Sequence, residues 1–204
     1  MPAPTLDFWF EFASSYSYPA AMRIGALAAD AGVAVRFRPF LLGPIFQAQG
    51  WNTSPFNLQP AKGRYMWRDL ERLCGELGLP FRRPEPFPQH SVLAARVGLY
   101  ALDQTWGEDF CRALFRAEFG GSSRIDDAAT VGRVLAGLGV EPAPALAAAQ
   151  SDAIKARLRA QTEEARQRGI FGAPSFVTVD GELFWGNDRL EMALRWAKHG
   201  GDAR

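Results

Sequence analysis

Leu6 to Phe12 reads Leu-Asp-Phe-Trp-Phe-Glu-Phe, aromatic and aliphatic residues bracketing two acids in a run that suits a short strand. It leads into Ala13-Ser14-Ser15-Tyr16-Ser17-Tyr18-Pro19, where serines can cap a helix and Pro19 can occupy its first turn. Ala20 to Ala31 is a good helix former ended by Gly32, and Val33 to Phe40 alternates as a second strand. The result is a strand-helix-strand unit, most economically parallel and right-handed.

From Leu41 to about Arg168 the pattern turns helical: Lys62 to Gly78, Ser91 to Trp106, Glu108 to Glu118, Asp126 to Leu138 and Pro144 to Arg168. Pro80 to Pro88 carries four prolines and predicts an extended connection. Strand character returns at Pro174 to Val179, with Asp180-Gly181 as a two-residue hairpin turn and Leu183 to Trp185 as the partner strand. A last helix follows, capped by Asn187 or Asp188, with Leu190, Leu194 and Ala197 at helical spacing. This order predicts an α/β fold, a thioredoxin-like domain with a large all-helical insertion: 1–42 and 169–204 form the domain and 43–168 the insertion.

Composition narrows the class of function. Apolar residues make up 48% of the 204, and 23 Lys plus Arg against 22 Asp plus Glu leave a net charge of +1, which argues against disorder and against a basic field for nucleic acid. Cys74 and Cys111 are the only cysteines and His90 and His199 the only histidines, too few and too scattered for a disulfide framework or a structural zinc site. His199 is better placed to complement the last helix's dipole. The start lacks a signal pattern and no stretch approaches a membrane span, so a cytoplasmic protein is expected.

Three segments carry candidate chemistry. Ser14-x-x-Ser17 stands where the thioredoxin architecture puts a redox Cys-x-x-Cys, at a helix N-terminus that favours a thiolate. With serine at both positions, dithiol exchange there is excluded; the serines are either caps or hydrogen-bond donors. Ala173-Pro174 precedes the third strand, where a cis bond would leave main-chain groups of residue 173 open to an extended peptide, while an ordinary trans-proline could equally start a strand. Trp185-Gly186-Asn187-Asp188 lies between the last strand and helix; it either caps that helix or holds the carboxylate and ammonium of an amino-acid end such as a γ-glutamyl group.

Along essentially its whole length the sequence resembles the 2-hydroxychromene-2-carboxylate isomerases, relatives of the kappa-class glutathione transferases and the DsbA-like oxidoreductases. The stretches that carry the resemblance are Asp7-Phe8-Trp9-Phe10-Glu11 into Ser14-Ser15-Tyr16-Ser17-Tyr18, Arg38-Pro39-Phe40-Leu41-Leu42-Gly43, Pro60-Ala61-Lys62-Gly63-Arg64-Tyr65-Met66, Gly169 to Ser175 and Trp185 to Leu190. The resemblance implies glutathione as cofactor, with Ser14 at its sulfur and Ser15 and Tyr16 close by. It further puts Ala173 on the tripeptide backbone, Trp185, Gly186, Asn187 and Asp188 at the γ-glutamyl end, and Asn52 at glutathione or substrate. Two departures stand out: Ser15 where a proline is usual, and Gln47 where a lysine is common.

What the family implies for activity is isomerisation of 2-hydroxychromene-2-carboxylate, or a related aromatic 2-oxo acid, to trans-o-hydroxybenzylidenepyruvate by reversible thiolate addition, in a homodimer that binds neither nucleic acid nor membrane. Asn52, Lys62 and Arg64 are candidate anchors for the substrate carboxylate, and Phe40, Phe46, Trp51 and Phe87 candidate pocket walls, though such aromatics also suit plain core. A free thiol ionises near pH 8.5, so lowering that by about two units requires roughly 2.7 kcal/mol. A hydroxyl given to a charged sulfur contributes about 1.5 to 3 kcal/mol and a helix dipole about 0.3 to 1 more, which suffices. A kappa-type transferase and a redox-inactive peptide-binding module are the competing readings.

Overall fold

The computed structural model describes residues 3–200. A four-stranded sheet has the order β2-β1-β3-β4, from strands β1 (Thr5–Phe10), β2 (Ala34–Pro39), β3 (Ser175–Thr178) and β4 (Leu183–Trp185). Strand β1 pairs parallel with β2 and antiparallel with β3, so Phe8 lies opposite both Phe37 and Phe176. Alternation along β1 then sends Leu6, Phe8 and Phe10 to one face and Trp9 to the other. Phe8 stacks on Phe10 and Phe176 at 5.0 and 5.6 Å, within the large core. Trp9 joins Phe40, Ile45, Ala165, Ile170 and Val177 in a second, smaller one.

Helix α1 (Ser17–Ala31) crosses between β1 and β2 and stops at Gly32, whose φ of +70° lets its N–H reach back to the carbonyls of Ala28 and Ala29. Helices alone fill the chain between β2 and β3: α2 (Leu42–Ala48), α3 (Pro55–Leu58), α4 (Pro60–Glu76), α5 (Val92–Ala101), α6 (Gly107–Phe115) with a π-helical turn (Arg116–Gly120), α7 (Ala128–Gly137), α8 (Pro142–Ala148) and α9 (Asp152–Gln167). The proline-bearing stretch from Pro80 to Pro88 is free of helix, as its composition predicts, but it is not extended throughout: residues 85–88 bend, with cis bonds at Glu85-Pro86 and Phe87-Pro88. A 3₁₀ turn (Asn187–Arg189) leads into α10 (Leu190–His199), whose last turn carries Lys198 and His199. No described helix is long and apolar enough to cross a membrane.

Five local expectations change. Helices α2 and α3 occupy a stretch whose Gly43-Pro44 and Gly50 conceal any periodicity. The predicted helix from Pro144 to Arg168 is two, because the Ser151 hydroxyl accepts the Ile154 N–H and starts α9 afresh. The helix expected from Ser91 to Trp106 ends at Ala101, and Glu118 falls in the π turn beyond α6. The β3-β4 connection has three residues, with Thr178 paired to Glu182 and Gly181 at φ +90°, the geometry of a turn closed by a bulge. Finally, the N-cap of α1 is Tyr16, and neither the motif serines nor Asn187 or Asp188 cap a helix through a side chain.

Candidate active site

The turn between β1 and α1 is closed by the main chain. The Ser14 N–H donates to the Glu11 carbonyl at 3.0 Å, and the Ser17 N–H to the Ser14 carbonyl at 3.1 Å. Ser14 is thereby held at the mouth of α1, a fifteen-residue helix with no acid in its first turn to offset the positive end of its dipole. Its hydroxyl donates to the carbonyl of Ala173 at 2.9 Å. The Ala173-Pro174 bond is cis, so two segments 159 residues apart in sequence meet at this point.

The loop that carries Ala173 is braced by β4. Gly186 donates its N–H to the Pro174 carbonyl at 2.9 Å, and the Trp185 indole lies over Gly172 and 4.9 Å from the Phe171 ring. Gly186 has φ +110° and ψ 145°, a region essentially closed to residues with a Cβ. A Cβ there would also lie 2.5 Å from the Asp188 carboxylate, which folds back over it and pairs with Arg189 at 3.1 Å. Asn187 is only 6% exposed, and its side-chain oxygen has no hydrogen-bond partner in the protein. Its carbonyl accepts from Arg23, which also pairs with Glu191 and ties the turn to α1.

The remaining predicted residues divide. The buried Ser15 hydroxyl faces α4 and meets the Met66 sulfur at 3.1 Å. Tyr16 donates its hydroxyl to Asp69 of α4 at 2.8 Å. Burial, that bond and the nearby negative charges push its phenol well above the usual tyrosine range, so it stays protonated. The Tyr16 ring is 6.4 Å from Phe56, over which the Lys62 ammonium sits at 5.9 Å. Lys62, Tyr65 and Asp69 therefore share the face of α4 that looks toward Tyr16, whereas Arg64, roughly 200° around the helix from Lys62, lies on the other side. Asn52 is exposed in the link between α2 and α3, next to Trp51, whose ring is 5.6 Å from Phe46. Phe40 is core, against Trp9, and Phe87 is half-buried against Trp67.

Asp69 and Met66 were invisible to motif reading, since nothing in a helical stretch marks which polar residue will meet a distant tyrosine. The thiols are not candidates: burial pushes Cys74 up to about 11 and Cys111 higher still. A cavity of about 430 Å³ runs along the outer edge of β2, away from Ser14. Its four arginines are already paired, Arg36 with Asp7, Arg38 with Glu164, Arg112 with Glu108 and Asp109, and Arg157 with Asp103. Its arginines are thus already committed to carboxylates of this chain.

With this geometry in view, the comparisons are consistent. Residues 5–195 match the model of the DsbA-like thioredoxin domain. The chain is 31% identical to 2-hydroxychromene-2-carboxylate isomerase from Sphingobium xenophagum over 92% of its own length and 95% of that protein. It is 27% identical to glutathione S-transferase kappa 2 from Caenorhabditis elegans, over 91% and 88%. A solved 2-hydroxychromene-2-carboxylate isomerase superposes with a TM-score of 0.83 at 28% identity, covering 92% of this chain and 91% of that one. The protein therefore belongs to the DsbA-like thioredoxin family, within the group formed by the 2-hydroxychromene-2-carboxylate isomerases and their kappa-class transferase relatives.

Proposed function

We propose that the protein is a glutathione-dependent isomerase acting on 2-hydroxychromene-2-carboxylate or a closely related aromatic 2-oxo acid. The observation that carries this reading is the meeting of Ser14, at the positive end of α1, with the Ala173-Pro174 loop, beside a turn whose buried Asn187 oxygen lacks a donor. An amide oxygen buried without a donor costs about 1–3 kcal/mol, which the ammonium of a γ-glutamyl group recovers. Asn187 and the flanking Trp185, Gly186 and Asp188 would hold that end, and Ala173 the tripeptide backbone. Held there, glutathione would supply a thiolate nucleophile for reversible addition to the conjugated double bond of the ring-opened acid.

The protein's own part is to hold that sulfur as an anion and to orient the acid. Ser14 turns its hydroxyl from the Ala173 carbonyl, a neutral acceptor, to the charged sulfur, an exchange favourable by roughly 1 kcal/mol. Ser15 and Tyr16, the two residues before α1, would present their N–H groups beside it. Tyr16, tied to Asp69, forms the wall toward α4 rather than acting as an acid. Lys62 and Asn52 are the anchors for the substrate carboxylate; Arg64, on the far face of α4, would need a different approach of the substrate.

Titration with reduced glutathione, followed by ultraviolet absorption of the thiolate, tests the reading. The wild type should lower the pH at which the bound thiol ionises. Ser14→Ala should return it toward 8.5 and cut turnover about ten- to a hundredfold. An unchanged ionisation and rate in Ser14→Ala would refute it. Product analysis separates the transferase reading, favoured by the kappa-class relatives: an isomerase returns all its glutathione, and a transferase consumes it.

A further inference from the structure

Two acids that this chemistry leaves unused lie behind Ser14. Glu11, three residues before it, is 5% exposed, and Glu118, in the π turn after α6, is fully buried. The residues flanking Glu11, Phe10 and Phe12, both pack on Phe115, at 5.7 and 5.1 Å, which brings the end of β1 against the turn that carries Glu118.

Glu11 is well connected. Its carboxylate accepts the Leu42 N–H at 2.8 Å, and its own carbonyl closes the Ser14 turn at 3.0 Å. Burial raises its carboxyl above the ordinary glutamate range, and the Leu42 N–H works against that by favouring the charged form. One residue thus joins the Ser14 turn, through its carbonyl, to the start of α2, through its carboxylate. Glu118 is the reverse case: neither of its oxygens has a partner, nor has the second oxygen of Glu11. The titratable groups facing Glu118 are Glu11 and, further along, Asp126, whose own charge is met by Arg124 at 2.6 Å and by the nearby His90. Two ionised carboxylates buried together without a cation repel strongly, whereas a protonated carboxyl carries no charge and has a hydrogen to donate.

We propose that Glu11 and Glu118 hold one proton between them, Glu118 as the neutral acid and Glu11 as the carboxylate, and that Glu11 is a positioning residue fixing Ser14 against the start of α2. The functional meaning rests on Ser14 as the sulfur-binding group; the carboxyl pair itself does not involve glutathione. At alkaline pH the Glu118 proton passes to solvent, two charges face each other, and the link from the Ser14 turn to α2 weakens.

The linkage has a definite sign. Glu118 keeps in the folded protein a proton that the unfolded chain releases above about 4.5, so the stability tied to that proton is complete below this pH and declines above it. Glu118→Gln has no proton to lose. Amide-exchange protection at Leu42 and Ser14, thermal midpoints from pH 5 to 9, and glutathione affinity should be measured for the wild type, Glu118→Gln and Glu11→Gln.

In the wild type, protection at both amides should fall toward pH 9; Glu118→Gln should abolish that fall and gain thermal stability over the wild type by a margin that widens with pH. Glu11→Gln should lower Leu42 protection about tenfold throughout, the loss of a hydrogen bond to a charged acceptor. The same alkaline fall in Glu118→Gln as in the wild type, or failure of this neutral isostere to fold, overturns the proposal, as does unchanged Leu42 protection in Glu11→Gln. Should Glu11→Gln not fold, the pH profile of Glu118→Gln decides alone. Absence of glutathione binding in every variant, with the amide and pH effects present, would sink the isomerase reading and leave the carboxyl pair standing.

Discussion

A serine hydroxyl has one proton to give, and in Ser14 it goes to a carbonyl on the opposite loop, across 2.9 Å. That bond fixes the direction of the donor, and its modest strength leaves it exchangeable. Gly186 serves at the same scale. Its backbone angles and the Asp188 carboxylate above it leave no room for a methyl group, so Gly186→Ala should cost about 1–3 kcal/mol and shift the whole Trp185–Asp188 segment. Calorimetric titration with glutathione should then show weakened binding, while Gly181→Ala, a strained position on the remote hairpin, should lower stability and leave affinity unaltered. Ser14 and Ala173 could be singled out from the sequence because a motif at a strand-helix junction fixes where the backbone points. Asn187 could be singled out as a helix cap, a role it does not perform, or as part of a γ-glutamyl site, but its burial could not be read, because the 3₁₀ turn that encloses its side chain depends on Arg23 and Glu191 from elsewhere.

At the scale of elements, the sheet and its flanking helices follow from local pattern: the aromatic run of β1, the Gly32 stop and the proline-rich connection each act through nearby atoms. Helices α2 and α3 were not legible, since they are short, contain Pro44 and Pro55, and gain their order from docking against α9 and α4 rather than from an amphipathic repeat. The contact of α4 with the residues that follow Ser14 was equally hidden. The Tyr16–Asp69 bond is its measurable link. A double-mutant cycle with Tyr16→Phe and Asp69→Asn should give a coupling of about 1–2 kcal/mol by chemical denaturation. Asp69→Asn should also bring the Tyr16 phenol down toward its ordinary range, visible in an alkaline absorbance titration. A coupling near zero would mean that the two lobes are held by packing alone.

For the molecule as a whole, both cysteine thiols are buried and pushed up in pKa, so neither offers a thiolate at neutral pH. A thiol reagent should label native protein only as fast as the chain opens, and the labelling rate should track global unfolding in mild denaturant. Rapid labelling of the native state would contradict the burial. Phe8, packed against Phe10, Phe37 and Phe176, belongs to the centre that such opening must breach, and Phe8→Ala should cost about 3–5 kcal/mol.

The larger hydrophobic cluster does not respect the border between the sheet and the helices inserted into it: Phe10 and Phe12 at the end of β1 lean on Phe110 and Phe115 of α6. Anyone hoping to graft a new specificity module onto this scaffold, or to trim it to a minimal thioredoxin, would be cutting through a shared keel. Exchanges that preserve those two phenylalanines of α6 should keep the hull intact, and those that do not should founder before catalysis can be asked about.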